Sequence, residues 1–399
     1  MTKLDTGGSF YTKQFNLLIL SNFLFSCSFT MLLPELPAYL TALGGSEYKG
    51  YIIALFTLMA GLSRPFSGKL TDTIGRVPVM IFGSLICVLC GLLYPLLTTV
   101  AGFLFLRFFH GFSTGFKPTA TAAYGADVVH PSQRSEALGA LSIGYTLGMS
   151  LGPLIGSTIV QFSSFNAMFY ASSLFAFGSV AILFNVKETL PNVTGFEWRL
   201  LRIHKTEIFD TTAVKPSLIM LLMAFSYGSM LTLIPDYSTW LALPSKGIFY
   251  ATYTFTALGV RIFAGKKLDE YSRMAVLKLS AVIMLAAMLL LCLSPNIYLF
   301  ITAAAVFGLS HGIYGPTLAA WTVDLCKVEN RGKAVSSMYI ALEAGIGLGA
   351  IISATIFNNN IHFFKYAFGL AAIFCAAALT LLFFWQNKQA KVVLTEIPH

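Results

Sequence analysis

Leu106–Ser157 reads LRFFHGFSTGFKPTATAAYGADVVHPSQRSEALGALSIGYTLGMSLGPLIGS. Two apolar segments flank a short polar turn; the first carries Arg107 and Lys117, the second a ladder of glycines. An ionisable side chain in lipid costs at least a few kcal/mol, so its presence asks for a task. The rest of the chain settles that lipid is the solvent. Of its 399 residues 56% are hydrophobic and only 11% are charged, against about 25% charged in an average soluble domain. Apolar runs of about 20 residues, long enough for a hydrocarbon core of about 30 Å, follow one another. This is the composition of an integral membrane protein.

Twelve such runs are expected as helices, roughly 15–40, 48–68, 77–98, 100–126, 135–160, 166–186, 216–241, 247–265, 275–295, 297–323, 333–357 and 364–385. Backbone groups in lipid must be paired within the segment, and these runs are too long and too uniformly apolar for barrel strands. The one long polar interruption gives a division into a six-helix bundle over 1–187, a cytoplasmic linker over 188–215 and a second bundle with a short cytoplasmic tail over 216–399. The net charge of +9 is not a nucleic-acid signature, because the cations collect in alternate loops. With the termini inside, the outer loops hold only Lys49, Lys246 and Lys365, which places both termini in the cytoplasm of a cell (plasma) membrane. The six cysteines lie in or at the edge of apolar segments and read as small buried hydrophobes, so no metal is expected.

An offset of 197 residues relates the halves. Arg64 falls on Arg261, Gly68 on Gly265, Asp72 on Asp269, Arg76 on Arg273, Gly111 on Gly308, Gly115 on Gly312, Asp127 on Asp324, Arg134 on Arg331, Gly148 on Gly345 and Gly152 on Gly349. One spacing for all these pairs implies a duplicated six-helix unit, related by a pseudo-twofold axis along the membrane normal, with a solute pathway between the copies.

The motifs carry a family resemblance. GKLTDTIGRVPVM (Gly68–Met80) resembles the loop signature of the major facilitator superfamily, LRFFHG its fourth-helix arginine motif, and GYTLGMSLGPLIGS (Gly144–Ser157) the fifth-helix motif of its twelve-helix drug:proton antiporter branch. Thr73, Val77, His110 and Ser157 depart from the usual residues at their places. The resemblance implies a secondary transporter working by alternating access, without a cofactor, whose partners are a small-molecule substrate, protons and the bilayer. It implies gating roles for Gly68, Asp72, Arg76, Asp127 and Arg134, and an antiporter motif in Gly144, Gly148, Gly152, Pro153 and Gly156. From charge alone, Asp72 is expected at a neighbouring helix N-terminus and Arg76 to pair with Asp127, and the second half to build the same latch from Asp269, Arg273 and Asp324, with Arg331 as a further gating residue. The chain is expected to act as a monomer.

The charges without a counterpart at the offset are the candidates for transport chemistry: Arg107 meets Ala304, Lys117 meets Tyr314, and Glu343 meets Thr146. Lys117 lies about 15 Å above Asp127 along its helix and Glu343 about 18 Å above Arg331, so the two are expected to pair across the halves, either as a coupling element or as a static pin. Glu35, between Pro34 and Pro37, is expected near Arg107; family antiporters place a proton-titrating acid there, which makes Glu35, Arg107 and Glu343 the proton-coupling set. Asn22, Arg107, Lys117, Tyr314, Trp321 and Glu343 are the expected cavity lining. Asp236 reads as structural.

The function expected is proton-coupled efflux of a small organic solute or drug. A proton symporter importing a sugar-like or other polar nutrient is the alternative, since it shares almost every feature except the glycine motif. An enzyme is disfavoured: HExxH and a Walker A loop are missing.

Overall fold

The computed structural model describes residues 11–129, 134–202, 209–264, 268, 270–293, 296–326 and 331–395. Among these there are helices and turns but no strand. The helices are α1 (Lys13–Thr30), α2 (Leu36–Ala42), α3 (Lys49–Thr71), α4 (Arg76–Leu93), α5 (Val100–His110), α6 (Phe112–Asp127), α7 (Arg134–Phe162) and α8 (Phe165–Leu183), then α9 (Val214–Trp240), α10 (Gly247–Phe263), α11 (Arg273–Leu293), α12 (Ile297–Leu325), α13 (Arg331–Phe357) and α14 (Phe364–Thr395).

Eight of the described helices, α4, α7, α8, α9 and α11–α14, are long and apolar enough to cross a membrane. The other four expected spans are shorter or more polar. The first carries Ser21, Asn22, Ser26, Ser28 and Thr30 on α1 and then breaks, because Pro34 and Pro37 interrupt the helical ladder. α3 keeps Arg64, Pro65 and Lys69 inside it, the fourth span is divided at Gly111 into α5 and α6, and α10 has 17 residues.

Two compact units emerge: Met1–Ile208 with Pro244–Ala251, and Phe209–Leu243 with Thr252–His399. A short segment from the second half of the sequence, holding Lys246 and the first turn of α10, packs as part of the first unit. Within the first unit α1 packs on α7 and α8, α4 on α6 and α8, and α3 on α5 and α6; within the second α9 packs on α13 and α14, and α11 on α12 and α14. Close helix approaches recur at the 197 offset. A Cβ added to Gly111 would meet Phe56 O, and one added to Gly308 would meet Tyr253 O; Gly115 and Gly312 face Ala60 O and Ala257 O in the same way. Small residues let helices associate where lipid leaves little hydrophobic drive. Leu58 and Leu62 on α3 and Leu174 and Phe177 on α8 are exposed, as lipid-facing positions should be.

Candidate functional site

The first candidate is the charged cluster between α3 and α4. Gly75 takes φ +114°, a conformation that only glycine adopts freely, and turns the chain into α4. Arg76 then donates from Nη1 to Asp72 Oδ1 at 2.8 Å and to Thr71 O at 2.6 Å, and from Nε to Asp127 Oδ2 at 3.0 Å, joining the ends of three helices. The expected carboxylate at a helix N-terminus exists, but in this unit it is not Asp72. Glu188, just beyond α8, accepts from Arg76 N at 3.0 Å and Val77 N at 2.9 Å, satisfying two of the donors that a helix leaves unpaired at its start. Thr189 Oγ1 adds a bond to Asp127 at 2.8 Å. A Cβ at Gly75 would stand 2.5 Å from Glu188 Oε2, the movable end of a side chain, so it is the positive φ that calls for glycine here. Gly68 has nothing within 4 Å of such a Cβ, and no close contact here calls for a glycine.

In the second unit Arg273 Nε donates to Asp324 Oδ2 at 3.3 Å, the same pair 197 residues on. Asp269 lies outside the described residues. Arg134 and Arg331 open α7 and α13; their side chains lie outside the described set.

The second candidate is the glycine ladder of α7, which lies against the α1 backbone. Cβ atoms at Gly144, Gly148 and Gly152 would come within 2.8, 2.5 and 2.9 Å of Ile19 O, Phe23 O and Cys27 O, and one at Gly156 would overlap Met31 O. Ser26 Oγ donates to Tyr145 O at 2.7 Å and Thr30 Oγ1 to Gly148 O at 3.1 Å across the same seam. In the second unit Gly345 and Gly349 meet Leu221 O and Phe225 O of α9. Pro153 has no counterpart there, since Ala350 stands at its place.

The unrepeated charges are distributed differently from the expectation. Glu35 does not meet Arg107: its Oε1 accepts from Ser157 Oγ at 2.8 Å and its Oε2 from Lys246 Nζ at 2.7 Å. Arg107 is fully buried on α5, donates from Nε to Ile52 O at 3.0 Å and lies 4.6 Å from the Phe56 ring centroid. Its two terminal nitrogens have no hydrogen-bond partner among the described residues. Lys117 points into its own unit, where Nζ donates to Ser21 O at 3.1 Å, Ser21 Oγ at 2.9 Å and Ser179 Oγ. Three bonds use all three ammonium donors; Glu343 is buried on α13. The Phe25 ring lies 4.7 Å from the same nitrogen.

Asn22 accepts from Thr121 Oγ1 at 3.3 Å. Tyr314 stands edge-on to His311 and its buried hydroxyl has no hydrogen-bond partner among the described residues; Trp321 is buried against Trp385. Outside the spans, Asp210 accepts from Thr212 N at 2.9 Å and Thr212 Oγ1 at 2.6 Å ahead of α9, and these bonds hold its carboxyl below the usual range.

The sequence reading passed over Glu188, Ser157 and Lys246 as site members, and also Cys87 and Cys90, a C-x-x-C pair inside α4. Cys87 Sγ lies 3.3 Å from His110 Nε2, whose ring reaches Tyr94 Oη through Nδ1 at 3.2 Å. No group of three metal-ligating side chains occurs among the described residues.

Known proteins resemble this arrangement throughout its length. Multidrug resistance protein 2 of Bacillus subtilis is 25% identical over 395 residues, covering 94% of this chain and 96% of its own. Quinolone resistance protein NorA of Staphylococcus aureus is 22% identical over 369 residues, with 88% and 91% covered. Among solved structures, the human organic anion transporter MFSD10 superposes with a TM-score of 0.71 at 18% identity, over 92% of this chain and 98% of that one. The model of the Major Facilitator Superfamily matches residues 18–291 and 217–399. With its helical fold, its apolar spans and its multidrug-resistance relatives, the chain belongs to the major facilitator superfamily as a membrane-embedded, multi-pass transporter resembling the drug:proton antiporters.

Proposed function

We propose that this transporter exports a small organic solute or drug in exchange for protons, by alternating access between two six-helix repeats of a twelve-span monomer with cytoplasmic termini. The observation that carries the reading is the α7 seam. Four glycines at four-residue intervals lie against every fourth carbonyl from Ile19 on α1 to its C-cap Met31, and the run contains a proline, Pro153, where the second half has Ala350. The resistance functions named for the Bacillus and Staphylococcus relatives point the same way. In this reading the Asp72–Arg76–Asp127 cluster and its counterpart, Arg273 with Asp324, are the latches on the cytoplasmic side, completed by Gly68, Arg134, Asp269 and Arg331. Glu35 is the first proton carrier, while Arg107, Glu343, Asn22, Tyr314 and Trp321 border the substrate path. Lys117, with its ammonium donors taken by serines, organises the helices around it.

The test is reconstitution in proteoliposomes that hold an interior pH reporter, with candidate solutes added against an imposed proton gradient. Solute and protons moving in opposite directions is the expected result. Movement in the same direction favours the nutrient symporter, and solute movement without protons rejects the coupling.

A further inference from the structure

Glu35 occupies the turn between α1 and α2, where the prolines on either side hold it out of a regular helix. Its side chain is almost fully buried, and each oxygen has one neighbour: Ser157 on Oε1 and Lys246 on Oε2. Ser157 ends the glycine motif of α7. Lys246 belongs to Pro244–Ala251, the segment that packs with the first unit although residues of the second unit flank it on both sides. The backbone of that segment is docked as closely as the lysine. A Cβ on Gly247 would fall 2.7 Å from Pro153 O and 2.8 Å from Leu154 Cα.

The other charged groups on the neighbouring elements are Glu47 and Lys49 before and at the start of α3, and Arg107 on α5; none of them bonds to Glu35, while α1 and α7 carry their charges at the opposite end. The Glu35 anion is therefore the group that holds Lys246, and Lys246 with Gly247 holds the segment on the motif. A buried ion pair depends on both members, and neutralising one leaves the other charge in a poorly solvating site. Lys246 has an escape that Glu35 lacks: its side chain is 21% exposed, against 5% for the glutamate.

We infer that Glu35, Ser157 and Lys246 form a proton-released strap, in which Lys246 is a positioning residue for the proton site. Ionised Glu35 keeps Pro244–Ala251 seated on Pro153–Ser157. A proton taken up on the carboxylate gives the neutral acid, the ammonium turns outward to solvent, and the segment leaves the antiporter motif. The inference rests on the proposed reading of Glu35 as proton carrier, and it adds what the proton would do there.

Hydrogen exchange of the purified full-length protein, followed at residues 244–251 across pH and corrected for intrinsic exchange rates, tests it without knowledge of the substrate. The segment should be protected at high pH and exchange several-fold faster as Glu35 is protonated. Glu35→Gln should exchange fast at every pH, Lys246→Gln likewise, and Lys246→Arg should follow the wild type. Exchange in the wild type that does not change with pH, or a Glu35→Gln protein as protected as the wild type, overturns the strap. If Glu35→Gln does not fold, Lys246→Gln decides by the same criterion. Proteoliposomes of Glu35→Gln separate the two readings: continued proton-coupled transport removes Glu35 as carrier while a titrating strap stands, and lost coupling with a strap that does not titrate does the reverse.

Discussion

Lys117 shows how a single buried charge can be read in two ways. Along α6 it looks like a cavity residue, because a cation in a span is costly wherever it has no partner. Two serines on other helices remove that cost: Ser21 on α1 and Ser179 on α8 supply a carbonyl and two hydroxyls. Nothing in the sequence around Lys117 names them, since they stand 96 residues before it and 62 after it. Ser179→Ala removes an acceptor from a fully buried ammonium and should cost about 1–3 kcal/mol, read as a lower Tm of the purified protein, whereas the exposed Thr355→Ala should leave Tm unchanged. Asp210 offers a prediction in pH. Its carboxyl titrates below the usual range because the bonds from Thr212 favour the anion. Its capping contribution is therefore complete above the ordinary carboxylate pKa and is lost as pH falls through the lowered folded value. Asp210→Ala should lower Tm at neutral pH, with the difference from wild type closing in acid.

At the scale of the element, the ladder makes glycine identity measurable. Gly152→Ala on α7 drives a methyl toward Cys27 O and should destabilise by about 1–3 kcal/mol, as overpacking does, with transport falling in parallel. Gly139→Ala on the same helix has nothing within 4 Å of the new methyl and should be neutral or stabilising by up to about 1 kcal/mol. Thermal unfolding of the two variants side by side checks both. The helices themselves were legible, because span length is fixed by bilayer thickness, and Gly111 and Gly308 advertise close approach wherever the offset is noticed. The turn at Gly75 was legible as a motif but not in its partner. Glu188 sits in a polar stretch that reads as linker, and only folding brings its carboxylate to the first amides of α4. The link from Glu35 to Lys246 spans 211 residues and leaves no local pattern at all.

Across the whole molecule some contacts recur 197 residues apart. Arg76 and Arg273 make the same contact from Nε to an aspartate, at 3.0 and 3.3 Å. Asp127 also receives Thr189, and Arg76 lies beside the cap that Glu188 places on α4; Asp324 receives only Arg273 among the described residues. In the proposed reading both are latches. Asp127→Asn should reduce transport in proteoliposomes by roughly tenfold, about 1.4 kcal/mol of gating energy, and Asp324→Asn should reduce it as well. Normal transport by Asp127→Asn would remove the first latch from that reading. Thr189→Val should fall between Asp127→Asn and wild type, since it removes one of the two bonds to the same oxygen.

The seam between α1 and α7 has a further property, which concerns register rather than distance. Gly144, Gly148, Gly152 and Gly156 meet Ile19, Phe23, Cys27 and Met31, so glycines and carbonyls repeat with the same four-residue step and run in the same direction. A slide of one turn, about 6 Å at 1.5 Å per residue, would return three glycines to a carbonyl. The ladder fixes how near the helices lie and leaves open which rung is occupied. That choice falls to contacts that do not repeat, above all the bond from Ser157 to Glu35 at the end of the run. In the proposed reading, the proton carrier would then also index the helix it touches.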